Sequence, residues 1–380
     1  MAQESADGYN AMSGDCLKMN IWSPNSGYNP KAVMVWIYGG GLSFSGFERG
    51  SINNPAYIGA NLAANEDVIV VSFNFRTNIF GFSNAPGTAT NNGLRDVRLA
   101  IEWIRDNIAA FGGDASRITL FGQSQGAYLI SYYAFAFYQD PIAHAFIQQS
   151  GSAWSPITQS TSEKASSWKN ASAAVGCDQT TYLQVVECMR SQNLSTLVFA
   201  NYTQRILEHK VSDNPVLMGN NDNEAGFYVF RYGGQENFNL SQAAQDYIGY
   251  GLYVCPGAVE AATRANAGYP VYRYEYMGDW PNLELYAGSR AYHTAETSLV
   301  FGTMEELSGD PNVELKVTVS RYMQHAWASF SKDPHRGLEE LGWPLYNQSG
   351  DTLIRLGHAK ETSASYVSPA AFDEVCENFE

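Results

Sequence analysis

Ser124 lies in the pentapeptide Gly122-Gln123-Ser124-Gln125-Gly126. The apolar run Ile118-Thr119-Leu120-Phe121 leads into it, and the helix-prone stretch Ala127-Tyr128-Leu129-Ile130 leads out. Strand, tight turn with a serine at its tip, then helix: this order presents a hydroxyl on a rigid support. It also aims a helix N-terminus at that hydroxyl, where developing negative charge is favoured. Glycines at both ends of the pentapeptide leave room for so sharp a turn. A serine alone is a weak nucleophile. Attack on an acyl carbon needs a base to take its proton and N–H donors to hold the oxyanion.

Both are on offer elsewhere in the chain. Val33-Met34-Val35-Trp36-Ile37 reads as a buried strand running into Tyr38-Gly39-Gly40-Gly41, whose glycines let backbone N–H groups face a ligand closely. After the serine, the strand-like segment Pro215–Gly219 leads into Asn220-Asn221-Asp222-Asn223-Glu224. A carboxylate just past a strand end sits on one edge of the sheet, and either Asp222 or Glu224 could serve. A further strand, Pro270–Tyr276, precedes a loop carrying Ala291-Tyr292-His293-Thr294-Ala295-Glu296. His293 is the candidate base. The other histidines, His144, His209, His325, His335 and His358, form no metal-type cluster, so neither a metal nor a cofactor is expected.

In combination these segments resemble the type-B carboxylesterases, the group that includes cholinesterases and fungal lipases. Gly14-Asp15-Cys16-Leu17-Lys18-Met19-Asn20-Ile21-Trp22-Ser23-Pro24 is similar to that family's second signature, with Gly14 where an acidic residue is usual. Asn92-Gly93-Leu94 through Phe111-Gly112-Gly113-Asp114 is similar to the family's helix and turn before the nucleophile, and Phe146–Ser152 looks like the strand that follows it. Asn223-Glu224-Ala225-Gly226-Phe227-Tyr228 looks like the fungal form of the segment with the acid, and His293 is followed by Leu299-Val300-Phe301-Gly302 as in the family. The resemblance implies an α/β-hydrolase fold over one domain, residues 1–380, with a mostly parallel central sheet flanked by helices. It implies a serine carboxylic ester hydrolase acting on a small-molecule or lipid ester through an acyl-enzyme. Its triad would be Ser124, Glu224 and His293, which favours Glu224 over Asp222. Its oxyanion donors would be Gly40, Gly41 and Gln125, with Ser150 beside the triad carboxylate. Disulfides Cys177–Cys188 and Cys255–Cys376 are implied in the same way.

The chain departs from the family in several places. Gln123 and Gln125 flank the serine where Glu and Ala are usual, and the Gln125 side chain is expected to narrow the acyl side of the pocket. Only 15 residues precede Cys16, and the stretch from Glu224 to Cys255 is short. The expectation is a sheet lacking its N-terminal edge and a Cys16 without a partner. Two other readings stay open: a catalytically silent cholinesterase-like binding protein, and an unstable shortened form. Retention of all three triad residues favours the enzyme.

Composition agrees with a globular α/β enzyme. The 380 residues carry 45% hydrophobic side chains and a net charge of −15, which disfavours nucleic acid and anionic membranes as partners. No apolar run approaches the ~20 residues of a membrane span. The polar start Met1–Asp7 is no signal peptide. Secretion is nonetheless expected from the paired cysteines and from sequons at Asn170, Asn193, Asn201, Asn239 and Asn347, which would make a glycoprotein. Oligomeric state is not legible. Leu94, Val97, Ile101, Ile104 and Ile108 recur at helical spacing, predicting a helix over 94–109, and Asp67–Phe73 reads as a buried strand.

Overall fold

A computed structural model describes residues 15–27, 29–40, 50–51, 54–55, 57–77, 81–82, 91–155, 205–233 and 240–378. Nine strands form one sheet. In chain order they are β1 (Met19–Trp22), β2 (Lys31–Ile37), β3 (Ile69–Phe73), β4 (Gly113–Gln123), β5 (Ala145–Gln149), β6 (Val216–Asn221), β7 (Val271–Tyr276), β8 (Leu353–Leu356) and β9 (Ser365–Val367). Their spatial order is β1-β3-β2-β4-β5-β6-β7-β8-β9. All neighbours run parallel except β1 on β3 and β9 on β8. This is the mostly parallel sheet expected for the α/β-hydrolase fold.

Most of the central strands carry apolar runs because helices cover parallel sheets on both faces. In β2, Ala32 through Ile37 are all buried. The helices that matter here are α1 (Ala60–Glu66), α2 (Asn92–Asn107), α3 (Gln125–Ala136), α4 (Gly226–Gly233), α5 (Cys255–Asn266), α6 (Thr297–Phe301), α7 (Glu314–Lys332) and α8 (Ala370–Asp373). Helix α3 packs on β4 and β5, α7 on β2 and β4, and α5 on β7. In α2 the buried positions include Val97, Ile101 and Ile104, the spacing that marks its inner face. No helix among the described residues is long and apolar enough to cross a membrane.

Element ends differ from the sequence reading for local reasons. The strand expected to begin at Asp67 begins at Ile69, because Asp67 ends α1 in the left-handed region, φ 52°. The strand expected through Ser152 stops at Gln149, because Ser150 has φ 52° and leaves the extended region.

The C-terminal segment is held from two directions. Cys255, the first residue of α5, forms a disulfide with Cys376. Arg273 on β7 makes two hydrogen bonds to Asp373 at the end of α8, and this guanidinium is only 1% exposed. Cys16 is a free thiol, part exposed. Cys177 and Cys188 lie outside the described residues, as do all the sequons except Asn347, which is exposed.

The disulfide closes a loop spanning 121 positions. Replacing Cys255 and Cys376 together with serine is expected to lower unfolding free energy by about 2–5 kcal/mol, the usual range for a native bridge. Urea denaturation of the double variant checks this. A midpoint equal to that of the parent would show that the bridge contributes nothing.

Candidate active site

The candidate residues all reach the carboxyl edge of the sheet, where open α/β sheets bind ligands. β2 ends at Ile37 and delivers Gly39 and Gly40; β4 ends at Gln123 and delivers Ser124. β6 ends at Asn221, three residues before Glu224, and the loop after β7 carries His293.

Ser124 adopts φ 55°, ψ −123°, a sparsely populated region for a side-chain-bearing residue. The surroundings hold it there. Its N–H donates to Gln149 O at 2.8 Å, and its carbonyl accepts from Tyr128 N at 3.1 Å. A Cβ at Gly126 would sit 1.9 Å from Ile37 O, and one at Gly122 would sit 2.5 Å from the same oxygen. These glycines therefore answer to the last carbonyl of β2 more than to the turn itself. Ser124 stays partly exposed while the residues around it are buried.

Glu224 is 1% exposed and His293 3%. Glu224 Oε2 accepts from His293 Nδ1 at 2.6 Å. Its Oε1 accepts from Ser150 Oγ at 2.6 Å and from Asn221 N at 2.7 Å. Asp222 points elsewhere: its Oδ2 lies 3.5 Å from Arg290, and burial pushes its carboxyl up. The two loops are joined by a parallel bridge between Asn223 and Tyr292, with Asn223 N donating to Ala291 O at 3.0 Å.

Behind this pair lies a polar layer absent from the sequence reading. Glu296 accepts from Gln149 Nε2 at 3.0 Å and from Asn221 Nδ2 at 2.6 Å. Gln149 Oε1 in turn accepts from Trp327 Nε1 at 3.2 Å. The single available signal was the position of Glu296, three residues after His293. Aromatic rings face the imidazole from the short segment between Glu224 and Cys255. Tyr253, in a π-helical turn over Tyr247–Val254, has its ring 4.5 Å from that of His293. Tyr228 and Phe227 lie at 5.8 Å and 6.3 Å. The hydroxyls of Tyr228 and Tyr253 are hydrogen-bonded to each other. Burial pushes Tyr228 up to about 12 and Tyr253 well above the ordinary tyrosine range.

Of the expected oxyanion donors, Gly40 has φ 123°, and Gln125 is the first residue of α3, so its N–H has no intrahelical acceptor. Gly41 lies outside the described residues. No cluster of His, Cys, Asp or Glu among the described residues could hold a metal ion.

An elbow serine and a histidine–carboxylate pair on the carboxyl edge of such a sheet place the chain among the α/β-hydrolases. Similarity to known proteins narrows this further. The profile of the Carboxylesterase family matches residues 1–227. Secreted lipase 5 of Gibberella zeae is 32% identical over 419 residues, covering 96% of this chain and 76% of the relative. Chlorogenic acid esterase of Aspergillus niger is 34% identical over 408 residues, covering 96% and 77%. Cholinesterase of Mus musculus is 38% identical over 186 residues, 48% of this chain and 30% of its own. The chain belongs to the carboxylesterase family and is a carboxylic ester hydrolase.

One buried group beside the site gives a pH-dependent prediction. Glu275 on β7 is 2% exposed and accepts from Asn220 Nδ2 at 2.7 Å. Burial raises its carboxyl well above 4.5, against the lowering effect of Arg273. The folded state therefore holds this proton more tightly than the unfolded chain does. Its contribution is complete below the ordinary glutamate range and is lost as pH rises toward the folded value. Glu275→Gln does not titrate, so its urea midpoint should gain on that of the parent as pH rises from about 4.5 to 7.5. A gap of the same size at both pH values would contradict the assignment.

Proposed function

We propose that Ser124 is the nucleophile, His293 the general base and Glu224 the orienting acid of a serine esterase. The observation that carries the reading is the 2.6 Å bond from His293 Nδ1 to the buried Glu224 carboxylate, on the same sheet edge as the elbow serine. A carboxylate only accepts, so Nδ1 carries the proton and Nε2 is left as the basic atom. His293 Nε2 takes the hydroxyl proton as Ser124 Oγ bonds to the ester carbonyl carbon. Negative charge moves onto the carbonyl oxygen, where the N–H groups of Gly40, Gly41 and Gln125 hold it. The intermediate collapses, the alcohol leaves with the proton from His293, and an acyl-enzyme remains. Water, deprotonated by the same histidine, then releases the acid. Glu224 stabilises the imidazolium that forms in both halves. None of these steps calls on a cofactor.

The substrate class is a small-molecule or lipid ester. Relatives named as a lipase and as a chlorogenic acid esterase support both ends of that range. The relative named as secreted supports export, as do the cysteines and the sequons, which would carry glycans in an extracellular protein.

Hydrolysis of p-nitrophenyl butyrate tests the assignment. Ser124→Ala should fall to near background without loss of thermal stability. Glu224→Gln should lose roughly 10⁴-fold in kcat, the scale seen when a triad acid is neutralised, while Asp222→Asn loses far less. Equal losses at Asp222 and Glu224, or full activity in Ser124→Ala, would overturn the triad.

A further inference from the structure

Pro256 lies two positions past the end of the π-helical turn Tyr247–Val254. It has no N–H, so it cannot close the α-helical bond to the carbonyl four residues back, and its ring crowds that carbonyl. The carbonyl is that of Leu252. The helix widens at this point: Cys255 N donates to Tyr250 O, five residues back. Leu252 O is taken up by side chains. It accepts from Ser155 Oγ at 2.6 Å and from Tyr128 OH at 3.4 Å. Both donors are buried, and neither belongs to the turn. Ser155 ends the described segment after β5, and Tyr128 lies on α3. Ser152 of the same segment donates to Glu260 on α5 at 2.7 Å, a second tie to the helix beyond the turn.

The turn decides where Tyr253 points. This residue adjoins Leu252, its ring lies 4.5 Å from that of His293, and its hydroxyl is bonded to that of Tyr228. Closing the turn to α geometry changes how far each residue rotates about the helix axis, and so carries the ring away from the imidazole.

We propose that Ser155 and Tyr128 are positioning residues for the acyl side of the site. By taking the Leu252 carbonyl they hold the π turn in place, and the turn holds Tyr253 beside His293. The proposal rests on the reading of Ser124 and His293 as the reacting pair. Tyr128 follows Gln125 by one turn on the same face of α3, and its phenol interacts with Tyr253. Tyr253 therefore stands on the side of the serine where Gln125 is expected to narrow the space for the acyl group. Branching at the carbon next to the ester carbonyl is what this wall limits.

The test is the ratio of kcat/KM for p-nitrophenyl pivalate to that for p-nitrophenyl acetate, measured in the full chain and its variants. Tyr253→Ala removes the wall outright, so the ratio should rise about tenfold or more, the scale of one or two methyl groups in an apolar pocket. Ser155→Ala combined with Tyr128→Phe frees the carbonyl and should raise the ratio about three- to tenfold by the same scale. Adding Ser155→Ala and Tyr128→Phe to Tyr253→Ala should raise it no further, because they act through the ring already removed. Pro256→Ala supplies an N–H that competes for Leu252 O. It should raise the ratio without lowering thermal stability, a pairing that a general loss of structure would not give. An unmoved ratio in the folded Ser155→Ala/Tyr128→Phe variant overturns the proposal. So does an equal further rise in the Tyr253→Ala background. If these variants do not fold, an unmoved ratio in Pro256→Ala overturns it alone. Failure of diisopropyl fluorophosphate to label Ser124 in the parent would instead remove the triad reading beneath it.

Discussion

A carboxylate taken out of water must have its oxygens filled by donors, or the folded state bears a cost of several kcal/mol. Glu224 meets that demand with His293, Ser150 and the Asn221 N–H. Each donor comes from a different part of the chain: the loop after β7, the end of β5 and the end of β6 itself. The carboxylate therefore fixes three strand ends relative to one another. The Asn223–Tyr292 bridge and the contacts of Glu296 with Gln149 and Asn221 extend the same tie. Trp327 on α7 carries it into the helix layer. Loss of Glu224 would leave both an imidazole without its Nδ1 partner and a buried knot of unmatched donors.

The elbow depends on a second constraint, the close approach of backbones. Gly122 and Gly126 face the Ile37 carbonyl, and a Cβ at Gly151 would meet Ser124 O at 2.6 Å. β2, β4 and the segment after β5 are thereby brought as near as their main chains allow. That closeness puts Gly39 beside Ser124. The site is built from strand ends and short turns. Its aromatic cover, Tyr228 and Tyr253, comes from a helix and a π-helical turn that pack on the site from outside the sheet.

Much of this was legible in the sequence. β2, β4 and β6 contain apolar runs because they are buried on both faces, and the inner face of α2 follows from its spacing. Ser124, Glu224 and His293 could be named as candidates because each follows a strand or lies in a loop after one, and because the resemblance set their order. The turn shows that the elbow glycines must lack bulk, but not all of why. Their need arises from Ile37, 85 positions before Gly122, and no local pattern shows it. Gln149, Asn221, Glu296 and Trp327 were not singled out for a similar reason: each looks ordinary until the fold joins them. The edge strands β8 and β9 are short and mixed in character, so periodicity does not mark them. Gln123 was noted as a departure, but its place over the His293 ring depends on where the imidazole lies.

The central claim is that the assembly around Glu224 makes Ser124 an acyl acceptor. Rapid acid quenching of the protein mixed with p-nitrophenyl acetate, followed by peptide mass measurement, addresses it directly. The account predicts a transient acetyl group on the peptide containing Ser124, formed together with an early burst of p-nitrophenol. Steady hydrolysis with no adduct at any quench time, or with the adduct on another residue, would contradict it.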